Sequence, residues 1–137
     1  MSVQYEVVFS CFLRDDTPAA ILDCLRWHLG QQAERPPYLD DSQRALLRPD
    51  PASRLPGGDV ASLQLQAGRS EAGDAGPVWG LFSRSLWPDD ALDQLSTIME
   101  LIAPHVARQG YGGYFRDVTT ADATAFEFRA ADSPAAP

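Results

Sequence analysis

The chain has 137 residues, of which 45% are hydrophobic and 22% charged, and its formal net charge is −8 at pH 7. A length of about 100–200 residues usually means one domain, and this composition is that of a globular protein, not a disordered one. All eleven basic residues are arginine, which excludes Schiff-base chemistry on lysine and a phosphate-loop lysine. The negative charge argues against nucleic acid and anionic lipid as partners.

Location and cofactor use are predicted from what the sequence lacks. Its apolar stretches are far shorter than the roughly 20 residues that span a bilayer. The first six residues have neither the basic start nor the apolar run of a signal peptide. The two cysteines, Cys11 and Cys24, are too few for a disulfide scaffold. We therefore expect a cytoplasmic protein with no cofactor and no metal.

The first half of the chain predicts a strand followed by a helix. Residues 3–13 alternate with period two, and their β-branched and aromatic bias indicates a strand with one buried face. Thr17 is expected to cap a helix whose first residue is Pro18, and Gly30 to end it. The apolar stripe of this helix has helical spacing and consists of Ile21, Leu22, Leu25 and Leu29.

The middle of the chain is interpreted as a long irregular loop and then a hairpin. Residues 31–59 hold five prolines, with a short helical turn expected around 42–47. Alternation returns over 60–67, and residues 68–77 have the glycines of a flexible hairpin tip. Residues 78–87 carry large apolar groups on both faces, which favours a central strand.

The last third predicts a second helix and two more strands. Asp89-Asp90 would open the helix, since acidic residues suit its positive end, and Pro104 would kink or end it. Its predicted apolar stripe is Leu92, Leu95, Met99, Ile102 and Val106. Strands are expected at 111–118 and 124–130. We predict one α+β domain over residues 1–130 and a disordered tail over 131–137.

The order of these elements is strand, helix, strand, strand, helix, strand, strand. Its first six members resemble the ferredoxin-like βαββαβ arrangement. The expected fold is therefore a ferredoxin-like sandwich with an extra C-terminal strand and both helices on one face of a mostly antiparallel sheet. The resemblance concerns element order alone and implies no function, because unrelated functions share this fold.

The cysteines and histidines offer weak motifs. Cys24 and His28 lie four residues apart on the first helix and could share a face, as a thiolate pair or the start of a metal site would. No third ligand is evident, so the preferred interpretation is that Cys24 is a small buried residue and His28 lies at the edge of the apolar stripe. Cys11, on the buried face of the first strand, is expected to neighbour Cys24 as a reduced core thiol. His105 is expected to act as an imidazolium at the end of the second helix.

The glycine-rich segment 110–114 follows a helix and opens a strand, whereas a phosphate loop does the opposite. The segment 54–59 is more distinctive, because Gly57-Gly58 permits a tight turn before the second strand. Asp59 would brace that turn. Arg54 would pair with Asp50 or with the carboxylate of a ligand.

A sheet covered by helices on one side leaves its other face open for contact. Polar side chains on that face are Glu6, Ser10, Gln64, Gln66 and Arg84, and Phe12 is an apolar one. Glu6 and Arg84 could hold a polar ligand in a cleft between subunits. Trp27 lies off the main stripe of the first helix and is a candidate for an exposed contact.

We predict a non-enzymatic protein that acts by protein–protein binding. Its partner would be a second copy through the open face, or a basic protein met by the acidic surface, as a toxin-neutralising immunity protein would do. The alternative is a small-molecule-binding protein or enzyme of the dimeric α/β-barrel type, with a pocket on the open face. No residue is assigned to catalysis or metal binding. The predicted ligand or partner contacts are Glu6, Arg54, Asp59, Gln64, Arg84 and Trp27.

Overall fold

The computed structural model describes residues 4–37, 39, 45–66 and 77–128. The described strands and helices, in chain order, are β1 (Gln4–Arg14), α1 (Ala19–His28), β2 (Val60–Gln66), β3 (Val78–Pro88), α2 (Leu95–Ile102), β4 (Gly110–Asp117) and β5 (Ala123–Phe128). The protein is therefore α+β. Its five strands form one antiparallel sheet in the order β2-β3-β1-β4-β5. The expected tail and nearly all of the expected hairpin tip lie outside the described residues.

The period-two pattern of β1 produces two chemically different faces. We define the inner face by Val7, Phe9 and Leu13 of β1, none of which has exposed surface. The outer face is defined by the alternate residues of β1 and their neighbours on adjacent strands. Those β1 residues are Glu6, Val8, Ser10 and Phe12.

The hydrophobic core lies on the inner face. One cluster joins Val7 and Phe9 of β1 with Leu25 of α1 and with Ile98 and Ile102 of α2. All five side chains are at most 1% exposed. Side chains from both helices thus share one core with the inner face, and burial of each large aliphatic group stabilises the fold by about 1.5–3 kcal/mol.

Helix α1 begins and ends by backbone geometry. Thr17 does not cap it, contrary to expectation, because its hydroxyl donates to the carbonyl of Arg14 instead, at 2.5 Å. At the other end Gly30 has φ +78°, and the amides of Gly30 and Gln31 donate to the carbonyls of Trp27 and Arg26. This is the Schellman pattern, so the prediction that Gly30 ends the helix is confirmed.

The second helix is not one continuous α-helix. A 3-10 helix over Asp89–Gln94 precedes α2, and a 3-10 turn over Ala103–His105, which contains Pro104, follows it. A 3-10 segment has about three residues per turn, so it rotates the buried stripe away from the predicted one. The buried side chains of this region are Ala91, Leu95, Ile98, Ile102 and Val106, whereas Leu92 and Met99 are only partly buried.

The described parts of residues 31–59 contain no helix or strand, and residues 45–47 of the expected turn are not helical. The segment is nevertheless attached to the core. Leu47 has no exposed surface, and its amide donates to the carbonyl of His28 at 2.9 Å. The amide of Leu46 donates to Nδ1 of the same histidine at 3.3 Å. His28 thereby holds this connection against the end of α1.

Candidate functional site

Four polar side chains meet on the outer face. We call Glu6, Arg84, Tyr114 and Arg116 the outer-face cluster. Oε2 of Glu6 accepts from Nε of Arg84 at 2.7 Å and from the hydroxyl of Tyr114 at 3.1 Å. Oε1 accepts from Nε and Nη2 of Arg116 at 3.0 and 2.8 Å. A single carboxylate is therefore held by two guanidinium groups, and that of Arg116 donates two N–H groups to the same oxygen atom.

Strand register brings these side chains together. Val8 at the centre of β1 lies directly opposite Arg84 on one side and Tyr114 on the other, while Glu6 lies opposite Arg116. Arg84 is thus diagonal to Glu6, a separation that a long side chain spans. Because β1 is flanked by β3 and β4, one glutamate can receive a partner from each side.

Burial and charge explain why Glu6 stays ionised. Its side chain is only 4% exposed, while those of Arg84 and Arg116 are 21% and 25% exposed. Burial raises the pKa of the Glu6 carboxyl, but the hydrogen bonds from Arg116, Arg84 and Tyr114 outweigh it, so the pKa lies below its ordinary value. Burial and the hydrogen bond to Glu6 raise the pKa of the Tyr114 hydroxyl. At neutral pH the cluster holds one carboxylate and two guanidinium groups.

The arginines also tie the cluster to two connecting segments. Nη1 of Arg84 donates to the carbonyls of Pro56 and Gly58 at 2.7 and 3.0 Å. Nη1 of Arg116 donates to the carbonyl of Thr120, in the connection between β4 and β5, at 2.8 Å. The cluster therefore links the segment before β2 to the β4–β5 connection.

The turn before β2 is braced as predicted, but Arg54 does not take part. Gly57 and Gly58 both have φ +81°, and Oδ2 of Asp59 accepts from the amide of Asp50 at 2.9 Å. Oδ1 of Asp59 is buried without a hydrogen bond to any described residue. Arg54 is exposed and forms no ion pair within the part of the chain that the structure describes. Arg84 supplies the cation that reaches this loop.

Exposed aromatic side chains continue the outer face beyond the cluster. Phe12 of β1 is 44% exposed and Phe82 of β3 is 39% exposed. Phe12 lies opposite Gly80, and Phe82 lies opposite Ser10, so the two rings occupy diagonal positions on the neighbouring strands β1 and β3. The outer face therefore has a charged end and an aromatic end.

The structure places the remaining predicted contacts apart from the cluster. Gln64 is exposed on the outer face of β2, opposite Gly80. Trp27 is only 7% exposed, so the expectation that it offers an exposed contact is wrong. Its ring packs against the ring of His28 and carries the guanidinium of Arg35 at 5.0 Å from its centroid. The connection after α1, which sequence periodicity does not describe, supplies that cover.

Half of the cluster, Glu6 and Arg84, is among the predicted contacts. Tyr114 and Arg116 are not. The available signal was their spacing of two on a predicted strand, which places both on the same face. The bulge between Tyr111 and Gly113 interrupts the parity of β4, so the face they share could not be assigned from the sequence.

Cys24 is buried as expected and His28 is buried too, whereas Cys11 and His105 are only partly buried. Cys24 has no exposed surface and His28 is 2% exposed. Burial raises the pKa of the Cys11 thiol to about 12 and lowers that of His28 to about 4. His105 does not fit the expected imidazolium, because burial and then the charge of Arg14 lower its pKa. No group of three or more His, Cys, Asp or Glu side chains suited to a metal occurs among the described residues.

Comparison with protein-family models, with curated proteins and with solved structures finds no match to this chain. Within the described ranges, no helix is both long and apolar enough to cross a membrane.

Proposed function

We propose that this is a non-enzymatic binding protein that pairs with a second copy of itself through the outer face of its sheet. The observation that carries the proposal is the pair of exposed rings, Phe12 and Phe82, at the aromatic end of that face. Exposed aromatic side chains lose solvent-accessible area when covered, and they are enriched at the centres of protein interfaces.

The proposed architecture is a ferredoxin-like sandwich in which both helices cover the inner face and β5 extends the sheet. Support comes from the position of β3 between β1 and β2, and of β4 on the other side of β1. The shared core of α1, α2 and the inner face supports the one-sided arrangement. In this arrangement the outer face is the one left for a partner.

The charge distribution favours a second copy over a basic partner at this face. Besides Arg14 at the end of β1, the outward positions of the described strands carry four charged side chains, which are Glu6, Arg84, Arg116 and Glu127. The formal charges of these four cancel, Arg14 is paired with Asp16, and none of the outward positions holds aspartate. The net charge of −8 is therefore carried elsewhere on the chain. Two such faces can meet without the like-charge repulsion that two acidic surfaces would suffer.

The size of the face is also adequate. The strands have 6 to 11 residues, and spacings of about 4.8 Å between strands and about 3.4 Å per residue give a projected area of roughly 700 Å². A stable interface of ordinary size buries roughly 800 Å² per partner. The outer face, with some contribution from the loop before β2, therefore suffices for a dimer.

Because Glu6 is already buried and paired, covering the outer face costs little at this one group. Glu6 already receives four hydrogen bonds from its neighbours. A carboxylate that is already desolvated and paired loses little on further burial, whereas a hydrated one would lose several kcal/mol. A cytoplasmic location, and a role without catalysis, belong to the same proposal.

The test is the molar mass in solution, measured by sedimentation equilibrium over a range of protein concentrations. The wild-type chain is expected to be a dimer and the Phe12→Ser/Phe82→Ser double variant a monomer. Leu65→Ser is the matched control. Leu65 is 54% exposed, but it lies opposite Trp79 and does not belong to the outer face. A wild-type chain that stays monomeric up to its solubility limit, or a double variant as dimeric as the control, would contradict the proposal.

A further inference from the structure

The outer-face cluster has more hydrogen-bond donors than acceptors. Two arginines present ten N–H groups in total. Arg84 directs three of them to Glu6, Pro56 and Gly58, and Arg116 directs three to Glu6 and Thr120. Four N–H groups therefore have no acceptor among the described residues.

These unused donors matter once the face is covered. In water they are solvated, but a partner that dries the face leaves each one without an acceptor unless something supplies it. The cluster also carries one more positive than negative charge. Both features are relieved by a small anion with two oxygen atoms in one plane, which is the geometry that guanidinium groups bind best.

The immediate surroundings of the cluster restrict the rest of such a ligand. On the outer face Arg84 lies between Val8 on β1 and Val60 on β2, and Phe82 precedes it by two residues on the same face. Val60 and Phe82 are 37% and 39% exposed. An apolar body next to the anionic group would cover these side chains.

We infer that the outer-face cluster is a binding site for the carboxylate of a small ligand with an apolar body. The inference rests on the proposed function, because pairing of two outer faces is what makes the unused donors costly. The ligand carboxylate would take N–H groups that Glu6 leaves free, and its apolar part would lie against Val60 and Phe82.

Benzoate is a suitable probe, with benzyl alcohol as the uncharged ligand control, and the readouts are calorimetric titration and the shift in unfolding temperature. Benzoate is expected to bind the wild-type chain and to raise its unfolding temperature, while benzyl alcohol has less effect. The Glu6→Gln/Arg84→Gln double variant keeps the net charge of wild type and is expected to bind benzoate about tenfold more weakly than Glu6→Gln alone, as loss of one charged hydrogen bond predicts.

Glu6→Gln alone provides a test with the opposite sign. It removes the carboxylate that competes for the arginines, so benzoate is expected to bind several-fold more tightly and to restore stability that the substitution removes. Arg108→Gln, at an exposed arginine outside the outer face, is expected to bind benzoate like wild type. Circular dichroism confirms that each variant is folded.

Equal effects of benzoate and benzyl alcohol, or weaker benzoate binding to folded Glu6→Gln, would overturn the carboxylate site. Sedimentation of the same samples separates this result from failure of the proposed function. A dimer that is indifferent to benzoate removes the ligand site and keeps self-association. A monomer that binds benzoate at the cluster keeps the site and removes the dimer.

Discussion

Acid is expected to weaken the fold through His28. The side chain is buried, and Nδ1 accepts a hydrogen bond from the amide of Leu46, so the folded state requires the neutral imidazole. Burial lowers the pKa of His28 to about 4, against 6.5 for the ordinary side chain. The unfolded chain therefore takes up a proton first as the pH falls.

The sign and size of the effect follow from this difference in pKa. Above pH 6.5 His28 is neutral in both the folded and the unfolded chain, so its lowered pKa does not change the free energy of unfolding. That free energy falls progressively as the pH drops from 6.5 to about 4. Each pKa unit corresponds to about 1.4 kcal/mol, so the free energy of unfolding should fall by about 3 kcal/mol over this interval. Such a loss is a large fraction of the stability of an ordinary domain.

The measurement compares urea unfolding of the wild-type chain and His28→Asn at several pH values between 8 and 4. The amide oxygen of asparagine can accept from the Leu46 amide without titrating, so the variant should lack this part of the pH dependence. Glu6 and His105 also have lowered pKa values, and their acid losses occur in both proteins and cancel in the difference. A stability difference that does not change with pH would refute the assignment to His28.

Three further predictions concern packing, charge and association. Gly113→Ala should lower the free energy of unfolding by about 4 kcal/mol, since φ is +144° and an added Cβ would overlap the carbonyl oxygen of Val8. Gly110 has φ +128° but open space around the added Cβ. Gly110→Ala should therefore lower the free energy of unfolding by about half as much in the same denaturant titration. Arg84→Ala should cost about 3 kcal/mol in urea unfolding at pH 7, because it leaves Glu6 buried with one guanidinium, and a cost below 1 kcal/mol would show that the pair is dispensable. Dimer dissociation measured by sedimentation should change little between low and high salt, whereas a contact built on opposite charges would weaken steeply.

Much of the secondary structure was available from local patterns. The alternation of β1 predicted both a strand and the division of its side chains between two faces, and Gly30 was correctly expected to end α1. These predictions succeed because period and backbone conformation are properties of neighbouring residues. The apolar stripe predicted for the second helix was wrong at Leu92 and Met99, which are only partly buried. A 3-10 segment changes the helical period from which that stripe was predicted.

Membership of the outer-face cluster depended on register. Alternation predicts which side chains share a face with Glu6 on its strand, and which share one with Arg84 on another strand. Only the pairing of Val8 with Arg84 and Tyr114 brings these groups within hydrogen-bond distance. A shift of one residue would send either side chain to the core, and strand pairing is a contact between residues distant in the chain.

The sequence by itself determined the strand periodicity, the acidic charge and the identity of the residues available for the outer face. Tertiary structure decided which of them meet. Strand pairing joined Arg116 to Glu6, and docking of the connection after α1 accompanied the burial of Trp27, which local pattern would leave exposed. The physical reason is that burial and ion pairing depend on what the rest of the chain brings close, whereas period and turn chemistry depend on the residues themselves.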